Sequence, residues 1–166
     1  MIDHLVGFLQ IVAGFGIAGV FLIALLEKLV PVMPAVLLYG LMGASASDGA
    51  IPIYALVIAT AMGSAIGSSV WYVLVRDGTT AVLATIFARF GMNANMTSRQ
   101  IARIAGTVHG AAFAQILPGV RFGIALIAPS GNARLVRFAA GTFVGALVWS
   151  AVMFGLGTTL RAYLGI

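Results

Sequence analysis

Four side chains in two apolar stretches set the chemical question in this sequence. Glu27 is the only glutamate and Lys28 the only lysine. They stand together in "EKLVPVMPAVL", at the end of an uncharged run, with Pro31 and Pro34 close behind. Arg121 lies inside a second stretch, "AQILPGVRFG", after Gln115 and Pro118. A planar guanidinium matches a phosphate through two parallel hydrogen bonds. A carboxylate at similar depth is its natural counter-charge, pairing with it or taking up a proton. We therefore read Arg121 as the ligand of an anionic phosphate and Glu27 as its counter-charge. The residues also fit a purely structural buried pair. Gln115 offers uncharged hydrogen bonds, to a substrate or to backbone that Pro118 releases.

The prolines say what holds these groups. Proline removes the hydrogen bond to the carbonyl four residues back and clashes with it. Pro31 thus frees the carbonyl of Glu27, and Pro34 that of Val30. Free backbone groups at membrane depth are tolerated only inside protein or beside a water-filled cavity. The stretch fits a re-entrant segment and equally a short, kinked spanning helix.

Membrane depth is the expectation because of composition. The chain of 166 residues is 61% hydrophobic and 8% charged, with a mean hydropathy of +1.12. A soluble domain is nearer 45–50% apolar and roughly 25% charged. One compact membrane domain over 1–166 is expected. The chain has no cysteine, which excludes disulfides, thiolate catalysis and cysteine metal sites. His, Asp and Glu are too few for a metal site, and no glycine loop points to a nucleotide cofactor. The net charge of +5 is spread over loops and segment ends and does not suggest nucleic acid. Asp3 and His4 stand where a cleaved signal would carry positive charge, so none is expected.

Runs free of Asp, Glu, Lys and Arg cover residues 5–26, 29–47, 49–75 and 138–160. A helical span needs about 20 residues. The first, third and fourth are read as spanning helices, with Asp48 capping the third and Pro52 in its first turn. Residues 76–109 join a first half (1–75) to a second (110–166). This linker reads as amphipathic and interfacial, with Thr97 or Ser98 as a cap and Arg99 and Arg103 on one face. Its four arginines against Asp77 place it in the cytoplasm. Lys28 reads as reaching the headgroups, on a different side from Glu27.

The halves share a pattern. "GSAIGSSVW" holds Gly63, Gly67 and Trp71, and "GTFVGALVW" holds Gly141, Gly145 and Trp149 at the same spacing. The glycines read as close helix packing, the tryptophans as interface anchors. Each pattern follows a proline-broken segment with an ionisable residue. Entered from opposite sides, the two segments form an inverted repeat, which places a binding site between broken helices. The expected fold is all-α and polytopic, with two re-entrant hairpins plus spanning helices.

Taken in order, "LLEKLVPVMPAVLLYGLMG", "ATAMGSAIGSSVWYVLVRDG" and "FAQILPGVRFGIALIAPSGNARLVRFAAGTFVGALVW" resemble the DedA family of bacterial inner-membrane proteins, which carry the VTT (SNARE-associated) domain. The resemblance runs from about residue 20 to residue 157. It implies two oppositely oriented re-entrant hairpins. It also implies flipping or scrambling of a lipid phosphate carrier such as undecaprenyl phosphate, with protons or cations as coupling ions. Of the family's two acids and two arginines, Glu27 and Arg121 match one each. Val36 and Gln115 stand where the others fall. Two alternatives follow from this: a proton-coupled small-ion or anion transporter, and a lipid-binding membrane protein without transport. A homo-oligomer is left open. An enzyme is not expected. Ser45 with His109 would make an intramembrane serine protease, but no third group accompanies them.

Overall fold

The computed structural model describes residues 16–30, 35–46, 51–77, 103–117, 120–131 and 133–165. Among the described residues every long element is a helix. They are α1 (Gly16–Leu29), α2 (Ala35–Ala46), α3 (Ile53–Arg76), α4 (Val108–Ile116), α5 (Val120–Ile127) and α6 (Leu135–Leu164), with a 3₁₀ turn at Ala128–Gly131. Helices α3 and α6 are long and apolar enough to cross a membrane by length and composition. Of the first uncharged run, residues 5–15 lie outside the described residues, as do Asp48 and most of the linker.

Local chemistry sets the ends. Pro52 is the N-cap of α3, not a first-turn residue as the sequence suggests. Its carbonyl accepts the first helical bond, from Ala55 N–H at 2.9 Å. Proline lacks only a donor, so it can fill a position that needs only an acceptor. Thr107 caps α4, its hydroxyl accepting from Gly110 N–H at 3.0 Å. Gly165, at φ 67°, ends α6 in the left-handed conformation and donates to the Arg161 carbonyl at 3.0 Å.

The long helices have an inverted polarity. On α3 the outer face shows Ile58, Met62, Ile66 and Val70, while Thr60, Ser64 and Ser68 point inward and are buried. On α6 the outer face shows Val144, Val148, Val152, Leu156 and Leu160, while Thr142 and Ser150 are buried. Both series step by four residues, close to one helical turn, so each helix turns one apolar stripe outward. A soluble helix does the reverse.

Glycines decide which helices touch. A Cβ on Gly67 would lie 2.6 Å from the Lys28 Cβ, and one on Gly63 would strike the Phe21 carbonyl. These contacts lay α1 against α3. In the second half, a Cβ on Gly145 would lie 2.7 Å from the Gln115 Cβ, and one on Gly141 would strike the Val108 carbonyl. These lay α4 against α6. Only a residue without a side chain allows backbones this close. Helix α2 crosses to α6 and α5 to α3, and α3 packs against α6 between them. At one end Tyr72 stacks on Phe138, ring centres 5.0 Å apart, and its hydroxyl donates to the Ala133 carbonyl. At the other end Val20, Leu56 and Val57 surround Phe154. The polar cluster lies between these ends.

Candidate functional site: a buried charge cluster

Glu27 occupies the last turn of α1, where the helix stops short of Pro31. Arg121 is the second residue of α5, just beyond Pro118. Each proline-interrupted stretch thus delivers an ionisable residue to the same interior point. The Arg121 Nη2 lies 3.4 Å from the Glu27 Oε2. Tyr39, from α2, donates its hydroxyl to the same oxygen at 3.3 Å. Lys28 Nζ is 3.9 Å from it.

Lys28 does not reach outward. It is 2% exposed, and its ammonium donates to the Gln115 Oε1 at 2.9 Å. The reason lies in Gly67: with no side chain there, α3 seats the Lys28 stem and turns it inward. Adjacent helical residues do leave on different sides of the helix. Here both sides are interior, one toward α5 and the other toward α4. Gln115 corrects a second expectation. Its Nε2 donates to the Arg121 carbonyl at 3.4 Å, while its Oε1 serves Lys28. It links both cationic residues and binds a carbonyl in the second half's broken segment, one that Pro118 does not itself release.

Aromatic residues complete the enclosure. The Arg121 guanidinium carbon lies 5.2 Å from the Trp149 ring centre and 5.9 Å from that of Tyr39. Both are within the range of cation–π attraction. Trp71 donates its indole N–H to the Lys28 carbonyl at 3.0 Å, satisfying an end carbonyl of α1. The tryptophans therefore serve the cluster. Their place as the third member of the repeat is legible in the sequence, but the structure puts them at the cluster and not in the expected role of interface anchors. Tyr39 carried no comparable signal; it is one aromatic residue in an apolar run.

Two features define what the cluster can do. Its charges do not balance: among the described residues Glu27 is the one carboxylate within ion-pair range of either cation. Several of its N–H donors are also unmet. Arg121 Nε and Nη1 and Trp149 Nε1 are buried without a hydrogen-bond partner among the described residues. Arg121 is 7% exposed, so bulk water does not make up the difference. A buried site with two basic side chains, one carboxylate and unmet N–H donors is suited to an anion.

Pro31, Pro34 and Pro118 lie outside the described residues. Val36 is 50% exposed on α2. His109 is exposed near the start of α4. The four repeat glycines lie at the helix contacts given above, so Gly67 and Gly145 also set the positions of Lys28 and Gln115. No protein-family model matches this chain, and neither does any curated protein or solved structure.

Proposed function

We propose that the protein is a multi-pass membrane transporter that binds an anionic phosphate headgroup at Arg121 and moves the lipid between leaflets. One observation carries this reading: among the described residues, a buried guanidinium with unpartnered N–H groups shares a single carboxylate with a second buried basic side chain. The outward apolar stripes of α3 and α6 support a bilayer as the solvent, since soluble proteins rarely expose such surface. The resemblance to the DedA family supports the lipid carrier, with undecaprenyl phosphate as the first substrate to try. It also supports a bacterial inner-membrane location and the inverted repeat of two re-entrant hairpins. The matched glycine contacts of α1 on α3 and α4 on α6 agree with such a repeat.

The test is reconstitution of the purified protein in liposomes, with undecaprenyl-phosphate translocation measured for wild type, Glu27→Ala and Arg121→Ala. Wild type is expected to move the lipid, and both variants to lose most of that movement. Arg121→Lys is expected to fail as well, because an ammonium lacks the guanidinium fork. Equal rates in all four proteins would remove the site assignment. Uptake of soluble inorganic phosphate instead of lipid would identify a small-anion transporter.

A further inference from the structure

The geometry points to Lys28 as the residue that receives Glu27 when an anion takes Arg121. This handover rests on the reading of Arg121 as an anion site and adds a moving part to it.

A phosphate or carboxylate binds arginine through two parallel N–H bonds. Each of the two such approaches uses Nη2, paired with Nε on one edge or with Nη1 on the other. Glu27 Oε2 already lies against Nη2, at 3.4 Å, while Nε and Nη1 have no partner among the described residues. Nη2 carries two hydrogens, so hydrogen-bond count alone would admit both anions. Charge does not. Two anionic oxygens on one nitrogen, in a site this buried, repel strongly.

Glu27 therefore has to yield, and among the described residues Lys28 is the destination at hand. The same Oε2 is 3.9 Å from Lys28 Nζ, just beyond hydrogen-bonding distance. An ammonium has three donors, and the only acceptor recorded for this one among the described residues is Gln115 Oε1. A small rotation of the Glu27 side chain converts the long contact into a direct bond. Tyr39, which donates to the same oxygen, can follow or release it. The anion would then hold Arg121 while Lys28 holds Glu27, so every charge has a partner. Lys28 is here a positioning residue: it acts on the anion through Glu27.

The sequence makes the test unusually direct, because Glu27 is the only glutamate and Lys28 the only lysine. Labelling the protein, with a tag free of both residues, with ¹³C-glutamate and ¹⁵N-lysine puts one signal on each partner. Solid-state NMR then reads the dipolar coupling between Glu27 Cδ and Lys28 Nζ in liposomes, before and after addition of a short-chain polyprenyl phosphate. The coupling is expected to strengthen on addition. A coupling that is unchanged or weaker, while the phosphate binds saturably and Arg121→Gln abolishes that binding, overturns the handover alone. No saturable binding, or equal binding by Arg121→Gln, overturns the anion-site reading beneath it.

Affinities give an independent arm. Lys28→Met is expected to bind the phosphate about tenfold more weakly, within the usual coupling range of one ion network. Adding Glu27→Gln to Lys28→Met is expected to restore binding, because an uncharged amide need not leave. A loss that persists in the double variant means that Lys28 attracts the anion directly, and the handover is wrong.

Discussion

The two glycine-matched helix pairs use the same packing to present different chemistry. Phe21, Ala24, Leu25 and Lys28 of α1 meet Gly63 and Gly67; Val108, Ala111, Ala112 and Gln115 of α4 meet Gly141 and Gly145. Each α4 residue follows its α1 counterpart by the same 87 positions that separate Lys28 from Gln115. These two occupy matching places, and they hydrogen-bond each other. Glu27 has Ala114 as its counterpart, a small core residue. The backbone arrangement is thus repeated, while the charge is divided: an acid and a lysine on one side, an amide and an arginine on the other. Packing constrains only the size of the side chain facing a glycine. It leaves the functional group at its end free to differ.

The comparison can be broken most severely by moving charge. Gln115→Lys would add a third cation to the cluster and is expected to cost about 3 kcal/mol of stability. Lys28→Gln added to it would rebuild the lysine–glutamine pair in reverse and recover most of that loss. Thermal unfolding of both variants in detergent reads the difference. No recovery in the double variant would mean that positions 28 and 115 are not equivalent. Glycine substitution probes the shared packing. Gly67→Val and Gly145→Val are each expected to cost about 1–3 kcal/mol by overpacking, with Gly145→Val the more costly, since a Cβ there would strike the Ala112 carbonyl, whereas at Gly67 the nearest backbone atom, the Leu25 carbonyl oxygen, would be 3.0 Å away. A loss confined to one half would show that the halves do not pack alike. The smallest effect sharpens the asymmetry. Trp71→Phe removes the bond to the Lys28 carbonyl and is expected to cost roughly 0.5–1.5 kcal/mol. Trp149→Phe removes an indole N–H with no partner among the described residues, so the loss of that donor should cost less.

Much of this arrangement was legible beforehand, for identifiable reasons. The helices over 53–76 and 135–164 follow from uncharged runs at least as long as the roughly 20 residues a helical span needs. The glycine pattern marked close-packed faces, because a missing side chain has a direct steric meaning. Glu27 and Arg121 stood out because ionisable residues are rare in apolar sequence and costly to bury. Lys28 departs from the sequence expectation for a physical reason too. A long flexible side chain near a helix end has both an outward and an inward rotamer. The choice belongs to the neighbouring helix, here to the gap at Gly67. Gln115 was hard for the same reason: an amide can serve backbone or side chain, and only its surroundings select between them.

What the sequence determined by itself is the inventory: apolar helices, two proline-interrupted stretches, one glutamate, one lysine, an arginine in an apolar segment, and glycines spaced for close contact. Those properties are local, set by residue type and by spacing along the chain. The tertiary structure decided which of these groups meet. It brought Arg121 to Glu27 across 94 residues of sequence and turned Lys28 inward to Gln115. It also aimed two aromatic rings at the guanidinium. Partners that distant are chosen by helix crossings, and a crossing depends on two surfaces at once, which no single stretch of sequence contains.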